Sequence, residues 1–278
     1  MPGHGANAVI FDRIGLIGVP LFMICAGYFN NSKEGDFSTW IDKKWRTLII
    51  PWLIWGTITY LLHILKSKDI ELISYLKWMV GVGTWLYFVP ILLCCQIFSR
   101  YINLYVLLCL GLISMFFSAY HLIPYNDVFT PYVNPFNFIV YFVAGSLIRN
   151  YGILKYFESR WCGVLIIGVL LLALFKPVYW HPLSPAVALI LFFACYSLFF
   201  SFNGKVLTET GKVSFVIYLC HIQVAGMVNQ LMSNLWGTPY EFAKVIIAFL
   251  AVNLMVIGVK YVINKLNLVQ VGRYLGYR

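Results

Sequence analysis

Apolar residues along this chain arrive in long unbroken runs separated by short polar connections. A membrane crossing requires about 17–25 mostly apolar residues. Nine runs meet or approach that length: residues 10–29, 49–65, 85–98, 101–120, 136–148, 161–175, 186–202, 213–232 and 242–263. The third, fifth and sixth are short and have to borrow residues from the adjoining loops. None shows the alternation of period two that marks a membrane β-barrel. The pattern predicts an all-α fold, a polytopic integral membrane helix bundle with about nine transmembrane helices. No internal repeat, low-complexity tract or second soluble domain interrupts it, so residues 1–278 read as a single membrane domain.

The connections orient this bundle, because cytoplasmic loops carry an excess of Lys and Arg. With nine alternating crossings, Arg13, Lys66, Lys68, Lys77, Lys176 and Lys244 fall on one side, and the other fourteen of the 20 Lys and Arg fall on the opposite side. That bias predicts an N-terminus outside and a cytoplasmic C-terminus. Residues 70–80 are too short and too charged to cross. They place Ile70, Ile73, Leu76 and Val80 on one helical face, as an outer interfacial helix does. Residues 120–135 form a Pro- and Asn-rich outer loop.

Composition agrees with lipid as the solvent. The 278 residues are 61% hydrophobic and 11% charged, whereas a soluble domain carries about a quarter of its residues as charge. The formal charge of +10 would suggest nucleic acid in a soluble protein. Here the basic residues are scattered through short loops, topology accounts for them, and no nucleic-acid partner is expected. The seven Cys lie in apolar stretches without CxxC or zinc-ligand spacing, so they read as small core hydrophobes and no metal is expected. Residues 1–8 lack the basic start of a cleavable signal.

Ionisable groups at membrane depth cost about 2.5–3.5 kcal/mol and are functional candidates for that reason. His221 lies deep in the run that begins at Val213, with Tyr218 one turn before it and Gln223, Asn229 and Gln230 after it. Imidazole exchanges protons near neutral pH, and the alternative is a histidine that packs against a neighbouring helix. His63, near the end of the second run, is the next candidate. Asp12 and Arg13 head the first run, either as a pair in a cavity or as headgroup anchors. Pro20 behind Gly18 removes a ladder hydrogen bond and predicts a bend, and Ala26-Gly27-Tyr28 suits close helix packing. Lys43, Lys44 and Arg46 ahead of Pro51 are either topology anchors or a phosphate-holding patch. No Gly-rich phosphate loop is present, so a nucleoside triphosphate is not indicated. Trp85 and Tyr87 suit stacking on a sugar ring or anchoring at the interface. Asn134, Asn137 and Asp127 are polar contacts in the outer loop. No Ser-His-Asp triad can be assembled from spacing.

These segments carry a resemblance. Val19-Pro20-Leu21-Phe22 followed by Ala26-Gly27-Tyr28, the basic run Lys43-Lys44-Trp45-Arg46 before Pro51, and Tyr218-Leu219-Cys220-His221 resemble, in order, motifs of the integral-membrane acyltransferase family 3. Residues 84–88 and 142–145 are weaker matches in the expected order. The family includes O-acetyltransferases of bacterial surface polysaccharides. The resemblance implies ten helices in the bacterial cytoplasmic membrane, acyl-coenzyme A (acetyl-coenzyme A) as donor, and a hydroxyl of a cell-surface glycan or lipid-linked sugar as acceptor. It also implies membrane lipid and polysaccharide-biosynthesis proteins as partners. On its terms Lys43, Lys44 and Arg46 hold the coenzyme phosphates, and Trp85, Tyr87, Tyr218 and Asn134 meet the substrate.

The sequence departs from the family's pattern in three places. The family's catalytic histidine lies on a first helix, and only nine residues precede Ile10 here. Ala26 stands where the family has Ser, and Leu16 where it often has Arg. The base is therefore expected at His221, then His63, with Arg13 steadying developing negative charge. Two other readings stand beside the enzyme: a glycan transporter with broken helices, and an inactive shortened relative or structural partner in glycan assembly.

Overall fold

The computed structural model describes residues 6–30, 35–67, 71–82, 84–126, 129–158, 164, 167–168, 180–199, 205–236 and 241–277. Among them every regular element is helical. In chain order these are α1 (Ala6–Tyr28), α2 (Phe37–Lys44), α3 (Ile50–Ser67), α4 (Leu72–Val80), α5 (Phe88–Tyr101), α6 (Leu104–Ala119), α7 (Phe136–Asn150), α8 (Ser184–Phe199), α9 (Lys205–Trp236), α10 (Glu241–Lys265) and α11 (Val269–Tyr274). A π-helical turn, Trp45–Ile49, joins α2 to α3, and 3-10 turns occupy Trp85–Tyr87 and Ile153–Phe157. Contacts divide the chain into two compact units, Met1–Glu34 with Val80–Phe202, and Gly35–Met79 with Asn203–Arg278.

The first unit is built around α7. Its residues Phe138, Ile139, Tyr141, Phe142 and Val143 are all buried by α1 and α6. Two glycines let α1 and α7 meet backbone to backbone. A Cβ on Gly27 would lie 1.8 Å from the Phe142 carbonyl oxygen, and one on Gly145 would lie 1.9 Å from that of Ile24. The Ser146 hydroxyl donates to the Gly27 carbonyl at 3.0 Å across the same seam. Small residues permit such approach where lipid supplies no hydrophobic drive. Helix α1 continues through Pro20 without interruption.

The second unit sets α9 against α10 and α3. With 32 residues, α9 is about 48 Å long at 1.5 Å per residue, enough to cross a hydrocarbon core of about 30 Å and project beyond it. Val213, Val216 and Cys220 of α9 pack with Val252, Val256 and Ile263 of α10 and with Tyr277. Helix α4 lies on α3 through its polar and aromatic side. The Thr57 and Tyr75 hydroxyls are 2.9 Å apart, the Trp78 indole donates to Thr59 Oγ1 at 3.2 Å, and the Tyr60 hydroxyl donates to the Glu71 carbonyl at 3.0 Å. The opposite side leaves Ile73, Leu76 and Val80 exposed.

The number of crossings requires a correction. Three helices among the described residues are long and apolar enough to cross a membrane, Phe37–Leu65, Glu209–Asn234 and Lys244–Lys265, and a fourth is counted if Leu72–Val80 and Trp85–Tyr101 are one broken span. Among the described residues, the nine expected from the apolar runs are not present as helices of that length. The reason is physical. Helices α5, α6, α7 and α8 have 14, 16, 15 and 16 residues, so they reach only about 21–24 Å, short of the hydrocarbon thickness. The run at 136–148 is apolar because neighbouring helices bury it. Hydropathy reads burial in protein and burial in lipid alike. The orientation with the N-terminus outside and the C-terminus cytoplasmic rested on nine alternating crossings and loses its basis with them. The run at 161–175 lies, but for three positions, outside the described residues.

Candidate functional site

In the second unit, residues from two distant parts of the chain line an open cavity of about 370 Å³: Asp42, Lys43, Arg46, Thr47, Arg273, Gly276 and Tyr277. One wall follows from helical spacing. Side chains three and four apart share a face, which gathers Asp42, Lys43, Arg46 and Thr47 where α2 passes into the π turn. Asp36 starts this helix by accepting from the Ser38 amide at 3.2 Å, and the Thr47 hydroxyl donates to the Lys43 carbonyl at 2.8 Å. Single π turns re-aim side chains within an otherwise regular helix, and Arg46 and Thr47 lie within one.

The other wall is the end of α11. The Tyr277 amide donates to the Gly272 carbonyl at 2.9 Å and the Gly276 amide to the Arg273 carbonyl at 3.1 Å, the paired bonds of a Schellman turn. Gly276 supplies the left-handed conformation that this turn requires, with φ +93°. The turn swings Tyr277 back into the core beside Cys220. Burial, and secondarily the nearby Cys220 thiol, pushes the Tyr277 hydroxyl up to about 12, so it remains neutral across the physiological range. The indole of Trp55 on α3 donates to the Leu275 carbonyl at 3.1 Å and ties the turn down.

The cavity carries three cations and one carboxylate. Arg46 Nη2 lies 3.1 Å from Asp42 Oδ2 with both side chains more than half exposed, at 68% and 58%. Exposed pairs of this kind contribute about 0–1 kcal/mol, so Asp42 holds Arg46 only weakly.

Of the residues singled out in the sequence, Lys43 and Arg46 come together here. Lys44 points elsewhere, its Nζ 5.7 Å from the Trp40 ring centroid. His221 is half-buried on α9, its Nδ1 2.6 Å from the Tyr218 carbonyl, with the two rings 5.7 Å apart. His63 is exposed on α3 and stacks on Trp78 at 4.8 Å. Arg13 lies on α1 within residues 6–16, whose side chains are outside the described set, as is Asp127.

In the first unit, Tyr87 is buried with its ring 6.0 Å from Tyr132 and 5.9 Å from Phe138, and Trp85 is half-buried on the same 3-10 turn. Asn134 is buried and fully engaged. Its amide donates to Ser114 Oγ at 3.0 Å and to the Tyr125 hydroxyl at 3.1 Å, while its oxygen accepts from the Phe136 amide at 3.0 Å. Asn137 extends this network, accepting from Ser114 and Ser118. Asp42, Thr47, Arg273, Gly276 and Tyr277 are cavity residues that sequence reading missed, and Arg273 and Tyr277 were the hardest to find. More than 220 positions separate them from Lys43 and Arg46, and no local pattern joins the two. Among the described residues no group of three or more His, Cys, Asp or Glu is placed to hold a metal ion.

No curated protein and no solved structure matches the chain. A family model does, the acyltransferase domain of acyltransferase family 3, over residues 2–259. The cavity cations Lys43 and Arg46 and the Tyr218–His221 turn all fall within that match. Its span, nearly the whole chain, establishes that the protein belongs to acyltransferase family 3.

Proposed function

We propose that this protein is a membrane-bound O-acyltransferase of the bacterial cytoplasmic membrane. It takes an acetyl or other acyl group from acyl-coenzyme A and delivers it to a hydroxyl of an extracytoplasmic polysaccharide or glycolipid. Family membership supports acyl transfer, and the observation that carries the donor is the cavity flanked by Lys43 and Arg46. Paired cations in a pocket of a few hundred Å³ suit the phosphates of a coenzyme.

His221 is assigned as general base. A carbonyl oxygen only accepts, so the contact with the Tyr218 carbonyl places the imidazole proton on Nδ1 and the lone pair on Nε2. Nε2 takes the proton of the acceptor hydroxyl as its oxygen attacks the thioester carbon. The C–S bond then breaks, and the coenzyme thiolate leaves with the proton returned by the imidazolium. The turn after α11 packs on α9 at Phe215 and Val216, and His221 lies five residues further along, roughly 8 Å on the helix axis. The pantetheine arm spans from the phosphates toward it. The exposed stacking of His63 on Trp78 makes it the weaker base candidate, and the saturated hydrogen bonding of Asn134 assigns that residue to the scaffold.

The test is transfer of labelled acetyl from acetyl-coenzyme A to membrane glycans by vesicles containing the full chain. His221→Ala is expected to abolish turnover, and Lys43→Ala with Arg46→Ala to raise the KM for the donor. Transfer at the wild-type rate in His221→Ala removes the base assignment. Absence of transfer by the wild type to every glycan preparation removes the enzymatic reading.

A further inference from the structure

The cavity holds more charge than the basic run alone provides. Lys43, Arg46 and Arg273 supply three positive charges and Asp42 one negative, leaving an excess of two. Arg273 brings a planar guanidinium whose fork pairs with two phosphate oxygens at once, which an ammonium cannot do. The Schellman turn fixes Arg273 and Tyr277 four residues apart on one rigid loop, and the core contacts of Tyr277 and the Trp55 bond hold that loop in place. Both residues follow the span 2–259 matched by the family.

We propose that Arg273 is a ligand-binding residue, completing with Lys43 and Arg46 a cradle for a phosphate group that carries two negative charges, on a loop that Tyr277 anchors in the core. Within the proposed function, on which this inference rests, that group is the pyrophosphate or the 3′-phosphate of coenzyme A. With Asp42 counted, Lys43, Arg46 and Arg273 leave two positive charges, which match the two negative charges of the phosphate, while Tyr277 borders the pocket with its ring packed in the core beside Cys220. The last helix is then part of the donor site.

The experiment is calorimetric binding to the purified full chain in detergent, with coenzyme A, dephospho-coenzyme A and pantetheine as probes. Proteins compared are the wild type, Arg273→Gln, Arg273→Lys, Tyr277→Phe and, as a surface control, Lys265→Ala. Arg273→Gln is expected to weaken coenzyme A about ten-fold, Arg273→Lys less, and Tyr277→Phe, which keeps the packed ring, and Lys265→Ala not at all. Pantetheine binding is expected to be equal in all of them. If dephospho-coenzyme A keeps its dependence on Arg273, the pyrophosphate is the group held; if it loses that dependence, the 3′-phosphate is.

Equal affinity for coenzyme A in the wild type and in whichever Arg273 variant elutes as the wild type overturns the proposal. So does an Arg273 effect found only on binding to phosphatidylglycerol vesicles, which would make the ligand a lipid headgroup. The two readings fail separately. Binding that depends on Arg273 without acetyl transfer leaves the cradle and removes the catalysis. Transfer with binding indifferent to Arg273 does the reverse.

Discussion

The indole N–H of Trp55 donates to the carbonyl of Leu275 at 3.1 Å, across 220 positions of sequence. A tryptophan on α3 thereby fastens the turn that carries Arg273 and Tyr277 into the cavity. A bond of this kind is worth about 1 kcal/mol net. Trp55→Phe keeps an aromatic ring, though a smaller one, and removes the donor. It is expected to lower stability by about that amount and to speed amide exchange at Gly276 and Tyr277 more than at Val213 and Val216. A uniform change across these positions would show that the bond does not hold the turn specifically.

Gly276 is expected to tolerate no side chain. Its φ is +93°, and an added Cβ would come within 3.2 Å of Val216 Cγ2 and 3.3 Å of Pro51 Cβ. Left-handed backbone costs an L-residue about 1–2 kcal/mol. Gly276→Ala should lose about that much stability in denaturant titration and should also weaken coenzyme A. Gly211→Ala, with no atom within 4 Å of its Cβ, is the comparison and should lose neither.

Kinetics are expected to separate the two proposed roles. A positioned base contributes about 10²–10⁴-fold to rate, so His221→Ala should lower kcat by that order with little change in the donor KM. Arg46→Ala should raise the donor KM several-fold and leave kcat near the wild-type value. Steady-state rates with varied acetyl-coenzyme A distinguish these patterns, and the opposite split would reverse the assignments.

At the seam between α1 and α7 there is no room for a methyl group. Gly145→Ala would drive Cβ to 1.9 Å from a backbone oxygen, so the helices must separate, at a cost of about 3 kcal/mol. The expected result is loss of the monodisperse peak or a large drop in melting temperature. Gly18→Ala on the same α1, with open space at its Cβ, should be neutral or slightly stabilising.

Alkaline pH should weaken the second unit. Burial raises the Tyr277 hydroxyl from 10 to about 12 in the folded protein, so between those values the unfolded chain has lost a proton that the folded chain keeps. Stability then falls as pH rises. The contribution is complete below about pH 10 and gone above about pH 12. Denaturant midpoints across that window should decline for the wild type and decline less for Tyr277→Phe.

Part of this architecture was legible in the residues. The basic run was expected to act as one patch of Lys43, Lys44 and Arg46; Lys43 and Arg46 do share a face with Asp42 and Thr47, whereas Lys44 lies over the Trp40 ring. The glycine in Ala26-Gly27-Tyr28 announced a close helix contact. Helix count was not legible, because α7 is as apolar as a membrane span while protein surrounds it. Arg273 was not legible either. It reads as one more basic residue near the membrane until the turn at Gly276 returns the chain to α3 and α9. Asn134 looked like a polar contact awaiting a ligand because sequence does not reveal which partners already satisfy a polar side chain.

The unit that holds the cavity is discontinuous, with Gly35–Met79 made long before Asn203–Arg278. During synthesis, Lys43 and Arg46 leave the ribosome early and wait while the whole of Val80–Phe202 is produced. Until residues 269–277 follow, the basic wall has nothing facing it, and a nascent chain halted before that point has no two-walled place for an anion. If the proposed donor site is correct, capture of the donor reports the completion of insertion as well as the proposed chemistry.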